Sequence, residues 1–227
     1  MRGLSVVIPS KNAANLNACL GGLNLNQTDC RIICIDDGID ISEIYDTYYK
    51  NGESRLDILK GEKPFVFARN CNIGIRAAGD DDVILLNDDA LLKTRNGLSL
   101  LQRAAEENKE YGCIGAVTNV TGQPLQRLNR LNNAGLREVP HIAFICVLIP
   151  RRTIDKIGLL DERYCIDYGV EDRDYCEAIR RAGMKVGVHD GCFVDHASLL
   201  STYRGQPNTP KSFEKNFKLF KQKWSVD

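Results

Sequence analysis

The chain has 227 residues, enough to enclose one substantial core with at most a small subregion attached. Its 30 Lys and Arg balance 30 Asp and Glu, so overall charge selects no polyanionic or polycationic partner. No apolar run approaches the ~20 residues of a membrane span, and Met1-Arg2-Gly3 leads straight into a strand-like segment, which predicts no signal peptide.

Residues 4–8 form a short β-branched run that stops at the loop Pro9-Ser10-Lys11-Asn12, and Leu16, Leu20 and Leu23 then recur at helical spacing. Residues 31–35 read as a second strand ending in Asp36-Asp37-Gly38, residues 41–50 as a weaker helix and 56–59 as a third strand. Between 65 and 78, Ala68, Cys71, Ile75 and Ala78 share one helical face, and Gly79 is placed to cap its C-terminus. The stretch 80–92 follows, on which the rest is organised. Val83-Ile84-Leu85-Leu86 is unbroken and apolar, as in a parallel strand buried on both faces, and it runs directly into Asn87, Asp88 and Asp89. Carboxylates there lie at the carboxyl edge of the sheet, where open α/β folds bind ligands. Read by themselves, the three residues suit a solvated turn equally well.

Leu98, Leu101 and Ala105 mark another helix, 112–117 a strand, and 119–140 an aperiodic segment carrying Arg127, Arg130 and Arg137. Residues 142–149 read as a strongly apolar strand, 151–157 as a short helix and 158–164 as a turn. Glu171-Asp172 opens a helix that Gly183 ends; 185–188 and 192–194 are late strands running into His196. Strands alternating with helices imply right-handed βαβ units and an α/β fold. Nine cysteines with no Cys-x-x-Cys pair, several inside apolar runs (Cys34, Cys113, Cys146), read as reduced, buried thiols of a cytoplasmic protein rather than a zinc site.

Six of these segments, in this order, resemble the family-2 glycosyltransferases of GT-A fold over nearly the whole chain up to His196. They are 5–12, Asp36-Asp37-Gly38, the helix Ala68-Arg69-Asn70-Cys71-Asn72-Ile73-Gly74, Asn87-Asp88-Asp89, Gly158-Leu159-Leu160-Asp161-Glu162, and Glu171-Asp172-Arg173-Asp174. The resemblance implies a Rossmann-like, mainly parallel sheet flanked by helices with a C-terminal helix. Residues 1–92 would be the nucleotide-sugar half, 93–197 the acceptor and catalytic half, and 198–227 a moving loop that closes over the donor followed by a basic amphipathic helix.

The reaction implied is inverting transfer from a nucleotide sugar, UDP-linked by preference, to an acceptor hydroxyl. Negative charge grows on the departing diphosphate, and a divalent cation stabilises it. Mn²⁺ or Mg²⁺ suits one or two carboxylates plus phosphate oxygens. The resemblance makes Asp89 a metal ligand and His196 a second, and it makes Asp172 the general base with Glu171 orienting the acceptor. Pro9, Ser10, Lys11, Asn12, Asp36, Asp37, Arg69, Asn87 and Asp88 fall on the donor nucleotide side, Asp37 accepting from uracil N3–H. Asn87 stands where the family's Asp-x-Asp has its first carboxylate, and Lys11 where an aromatic is common. Glu171, Asp172 and Asp174 are also what any helix N-terminus would carry.

The acceptor is open. Arg127, Arg130 and Arg137 lie where this fold lines its acceptor side. Residues 203–224 hold six Lys and Arg against Glu214, with Phe213, Phe217, Phe220 and Trp224 on one helical face. That helix either packs its aromatic face and solvates its lysines, or engages phosphates of a lipid-linked acceptor, a membrane or nucleic acid. A hydroxymethylated DNA base is one candidate acceptor. From other classes, a non-catalytic nucleotide-sugar-binding protein is compatible with Asn87, whereas a nucleotidyltransferase would need a Gly-rich loop after the first strand.

Overall fold

The structure is a computed structural model that describes residues 2–26, 30–48, 56–128, 135–164, 169–201 and 209–225. The first half runs β1 (Leu4–Ser10), α1 (Ala13–Asn26), β2 (Arg31–Asp36), α2 (Ile41–Tyr48), β3 (Leu56–Lys60), α3 (Phe67–Ala77) and β4 (Asp82–Leu86). Then come β5 (Leu91–Leu92), α4 (Gly97–Glu107), β6 (Tyr111–Thr118), β7 (Leu136–Glu138), β8 (Cys146–Ile149), α5 (Arg151–Ile157), α6 (Glu171–Arg181), β9 (Lys185–Asp195) and α7 (Thr209–Trp224).

Among the described residues nine strands form one sheet, in the order β3-β2-β1-β4-β8-β6-β9-β5, with β7 also on β9. The β3-β2-β1-β4 half is parallel throughout, as βαβ connections require; β8 joins β4 antiparallel, and β6 and β9 are again parallel. The apolar run of β4 is therefore central, between β1 and β8, and all five of its residues are buried.

Alternation along the strands builds a core on each face. Val6, Ile8, Ile84 and Leu86 pack with Leu16, Leu20 and Leu23 of α1 and with Leu98 and Leu101 of α4. Val7, Val83 and Leu85 point the other way, onto Cys71 and Ile75 of α3 and Tyr175 and Ile179 of α6. Eight cysteines are described, all buried with free thiols, Cys34, Cys113 and Cys146 among them.

Four elements differ from the sequence expectation: the short strands β5 and β7 fall where no strand was read, and two apolar runs differ in extent. Of the apolar stretch 142–149, only Cys146–Ile149 is strand. Ile142, Phe144 and Ile145 are equally buried but belong to a loop beside the sheet edge, so apolarity reports their burial and not their backbone. Conversely, 185–188 and 192–194 are one strand, β9, whose pairing with β6 breaks register between Ala116 and Val117 to accommodate extra residues around Gly191.

Helix α7 packs against the domain. Phe220 is buried with Tyr164 and Val170, and Phe217 and Trp224 lie against them. Asp174 anchors it, accepting from Lys223 Nζ (2.7 Å), Trp224 Nε1 (2.7 Å) and the Tyr164 hydroxyl (2.7 Å). Arg173 lies over the rings of Phe217 and Phe220. Lys211, Lys215 and Lys218 stay on the solvent side. Among the described residues no helix is long and apolar enough to cross a membrane.

Candidate active site

The carboxyl ends of β1, β4 and β6 and the start of α6 surround one cavity of about 230 Å³. Its lining includes Pro9, Asn87, Asp88, Asp89, Glu171 and Asp172, which the sequence reading had assigned to three separate roles. The polar residues following β4 thus line the cavity, in a turn closed by Ala90 N–H on the Asn87 carbonyl (3.1 Å).

The strand β5 brings Asp89 to His196. Leu91 pairs with Asp195 and Leu92 with Val194, so the residues just beyond this short ladder meet. Asp195 holds the connection: its carboxylate accepts from the Ser198 hydroxyl, from Asn119 Nδ2 (2.8 Å) and from Ala197 N–H (3.0 Å), which keep its pKa down at about 2. Asn119 Oδ1 in turn accepts His196 N–H (2.9 Å). Both Asp89 and His196 are buried, with His196 Nε2 3.1 Å from Asp89 Oδ1.

The residues fit a divalent cation. His196 Nδ1 lies 2.9 Å from the Val120 carbonyl, which can only accept, so Nδ1 carries the proton and Nε2 turns toward the carboxylate. At 3.1 Å, Nε2 and the carboxylate either share a proton or can share a cation. Two neighbouring ligands each ~2.1 Å from an octahedral ion lie ~3.0 Å apart, close to the observed separation. Among the described residues no third His, Cys, Asp or Glu completes a cluster, so the remaining positions would fall to substrate oxygens and water.

Asp88 turns away to accept from the Ser10 hydroxyl (2.6 Å), tying β4 to β1. Burial pushes its carboxyl up to about 6, against that hydrogen bond. Glu171 and Asp172 open α6, preceded by Gly169 and Val170 with left-handed backbone (φ 88° and 87°). A β-branched residue there is strained, and its side chain is held by Tyr164 and Phe220. Burial raises the pKa of both carboxyls. For Glu171 the Asp172 charge adds to the rise; for Asp172 backbone N–H groups of Arg173 and Phe144 oppose it. Arg173 N–H donates to Asp172 Oδ1 at 2.7 Å.

The other predicted site residues that are described lie outside the cavity lining. Asp36 Oδ1 accepts from Gly38 and Ile39 N–H (both 2.7 Å) and shapes the loop after β2, while Asp37 pairs with Lys63 Nζ (2.6 Å). Arg69 turns to Glu62 and to the Pro64 carbonyl rather than to the cavity. Asn12 Oδ1 caps α1 through Asn15 N–H (3.1 Å), and Lys11 is exposed beside it. Arg137 is committed to Asp190 in a two-pronged pair (2.8–3.0 Å), and Arg127 to the Thr121 carbonyl. Both arginines brace the segment after β6; Arg137 is neutralised by a carboxylate, whereas the exposed Arg127 meets, among the described residues, a carbonyl only. Arg130 and residues 202–208 of the expected closing loop are outside the described residues.

The structure adds an aromatic lining the sequence reading missed: Phe65, Phe67, Phe144, Tyr164 and Phe213. They come from four separate segments, and only Phe213 carried any signal, as one of the aromatic face of α7. The helix α3 motif also has a packing role. Asn72 clamps the 158–162 turn, its amide taking Leu160 N–H (3.0 Å) and giving to Leu160 O (2.9 Å) and Glu162 (2.8 Å).

Comparison with solved structures finds the same fold in GalNAc-T7 with UDP, GalNAc and Mn²⁺ (TM-score 0.74, 17% identity, 96% of this chain and 48% of that one). It finds it again in the mannosyltransferase PcManGT of Pyrobaculum calidifontis in complex with GDP-Man and Mn²⁺ (TM-score 0.71, 16% identity, 89% and 59%). The chain thus spans about half the length of these proteins. No curated protein sequence matches it. The model of glycosyl transferase family 2 matches residues 5–158, which run from β1 through the cavity edge to the end of α5. By that match, and by a sheet whose carboxyl edge gathers Asn87-Asp88-Asp89, His196 and Glu171-Asp172, the chain belongs to the family-2 glycosyltransferases and has the GT-A fold.

Proposed function

We propose that the protein is an inverting, divalent-metal-dependent glycosyltransferase that moves a sugar from a nucleotide sugar, UDP-linked by preference, to an acceptor hydroxyl. The observation that carries the proposal is the single cavity lined by Asp89, with His196 in contact behind it, and by the raised carboxyls Glu171 and Asp172. The matched solved structures hold UDP or GDP-mannose with Mn²⁺, which supports the donor class and the metal.

Asp89 and His196 would hold the cation; when bound, it neutralises charge developing on the leaving diphosphate. Asp172 accepts the proton of the acceptor hydroxyl. Burial makes it a stronger base than an ordinary aspartate, and the Arg173 and Phe144 amides hold the carboxylate in place. Glu171, at the same helix start, orients the hydroxyl. A single base opposite the departing nucleotide gives inversion. The aromatic residues line the same cavity as the two carboxyls, an apolar wall that would limit water at the reacting groups.

Asp172→Asn is expected to cut transfer ~10²–10⁴-fold, the usual share of a positioned base, while leaving nucleotide-sugar binding within about twofold. Equal loss of binding and transfer would refute the base assignment. Binding with no turnover in the wild type, across acceptors and in water, would favour a non-catalytic nucleotide-sugar-binding protein. The basic stretches that made a DNA base a candidate acceptor are only partly engaged within the protein: Arg137 is paired with Asp190 and Lys223 with Asp161 and Asp174, while Lys211, Lys215 and Lys218 stay exposed.

A further inference from the structure

Helix α6 begins without a local cap. Its N-cap residue is Val170, whose side chain has no acceptor for the free N–H groups, and Gly169 and Val170 both hold left-handed backbone (φ 88° and 87°). A β-branched residue keeps that conformation only where its surroundings over-determine it. Here α7 supplies the surroundings. Phe213, Asn216, Phe217, Phe220, Lys223 and Trp224 recur at helical spacing and share one stripe of α7. Asn216, 1% exposed, donates from Nδ2 to the Gly169 carbonyl (3.1 Å), and a Cβ on Gly169 would meet the Phe213 ring at 3.2 Å. Phe220 is buried with Val170, and the Arg173 guanidinium lies over the rings of Phe217 and Phe220 (5.2 and 5.4 Å to the centroids). Lys223 and Trp224 hold Asp174. Gly169, Val170, Arg173 and Asp174 are thus each tied to α7, and between them stand Glu171 and Asp172, which line the cavity.

We infer that α7 is the positioning element of the catalytic carboxyls: through Asn216 it holds the Gly169-Val170 turn and so sets where Asp172 stands relative to the acceptor hydroxyl. This rests on the function proposed above and deepens it. Asn216 acts through the Gly169 carbonyl, as a positioning residue and not a catalytic one. Rotation of the backbone at Gly169 or Val170 swings the first turn of α6 as a unit, since the Asp174 N–H is bonded to the Val170 carbonyl (2.8 Å). Proton transfer needs the base within hydrogen-bond reach of the hydroxyl, so a shift of about 1 Å is costly in rate. The donor, held from the β4 edge in the same proposal, would stay in place, so the cost falls on turnover and not on nucleotide binding. The family match ends at residue 158, before both helices, so this device lies outside the part of the chain that the family model covers.

The test compares wild type with Asn216→Leu, which keeps a branched side chain and removes the donor, and with Leu98→Ala, a core truncation in α4 that lowers stability away from this turn. Asn216→Ala takes its place if leucine overfills the site. Thermal midpoints and the emission of Trp224, the single tryptophan, check that each variant is folded with α7 docked. Turnover of a panel of UDP-sugars in Mn²⁺, with water and with saccharide acceptors, is followed as UDP released. In Asn216→Leu, kcat is expected to fall on the order of ten- to a hundredfold while Kd for UDP stays within about twofold. Leu98→Ala should lower the thermal midpoint and keep kcat within about twofold, because loss of stability alone leaves the folded enzyme unchanged. Hydrogen exchange should show protection over 170–174 reduced about tenfold or more in Asn216→Leu, and protection over 176–181 retained. An unchanged kcat in a folded Asn216→Leu overturns the inference, as does exchange over 170–174 that matches wild type, or a kcat loss that Leu98→Ala reproduces. A wild type that turns over no UDP-sugar overturns the proposed function, and the inference falls with it.

Discussion

Gly74 lies in the helix motif Ala68–Gly74 that helped place this chain in its family, and the structure gives it a packing role that can be measured. A Cβ built there would lie 2.3 Å from Val7 Cγ1 and 2.8 Å from Cγ2, where α3 crosses the fully buried β1. Both contacts are far inside van der Waals distance and neither partner can swing into solvent. Gly74→Ala should therefore incur an overpacking cost of ~3 kcal/mol, at the upper end of the usual range, offset by the ~1 kcal/mol gained from alanine in a helix interior. The net loss of ~2 kcal/mol corresponds to a Tm drop of ~4–8 °C for a chain of this size. In a Val7→Ala background the two clashing methyls are gone and the nearest atom is Val7 Cβ at 3.1 Å, a contact that a small shift relieves. There the same substitution should be close to neutral, a coupling of ~2 kcal/mol in a double-mutant cycle. Urea unfolding of the four proteins, followed by circular dichroism, gives the cycle directly. Equal losses from Gly74→Ala in both backgrounds, or no loss in either, would refute the packing account.

Other consequences follow from the same geometry. Glu171 and Asp172 have folded-state pKa values raised by burial, so the folded protein keeps protons that the unfolded chain releases above its ordinary carboxyl range. Their stability penalty is absent below about pH 4 and grows as pH rises through the raised values, so Glu171→Gln should increase Tm at pH 8 and leave it unchanged at pH 4. The same shift predicts that transfer falls on acidification at a higher pH than an ordinary aspartate would give, a limb that a pH–rate profile of kcat/KM should locate. Asp174→Ala removes the shared acceptor of Tyr164, Lys223 and Trp224; loss of ~2–3 kcal/mol and a red-shifted emission from Trp224, the single tryptophan, would mark release of α7. Asn72→Ala leaves Leu160 N–H and C=O without their side-chain partner and should cost ~2 kcal/mol by urea unfolding, with Asn72→Gln no rescue because the clamp depends on reach.

What was legible in the sequence follows from how local each signal is. β4 and its terminal Asn87-Asp88-Asp89 stood out because a strand buried on both faces is continuously apolar, so an abrupt acidic end marks the sheet edge. Helix starts and glycine stops were equally local, as at Gly79 and Gly183, both left-handed in the structure. The loop 142–145 was read as strand because a buried loop and a buried strand share one apolar signature. Arg137 looked like an acceptor cation because its partner Asp190 is 53 residues away in the chain. Lys63 and the aromatic lining left no motif at all; only the meeting of distant loops gives them a place. The contact of Asp89 with His196 lies between these cases, since it spans 107 residues and was reachable only through the resemblance to a family.

The proposed function requires one site that would bind a nucleotide sugar through a metal held by Asp89 and His196. The most direct test is the thermal shift produced by UDP-sugars with and without Mn²⁺, on wild type and Asp89→Ala. At a concentration 100 times Kd, binding to the native state adds ~2.7 kcal/mol, or a Tm rise of ~5–10 °C. The account predicts that rise only when Mn²⁺ and Asp89 are both present. An equal rise without metal or in Asp89→Ala, or no rise with any nucleotide sugar, would contradict it.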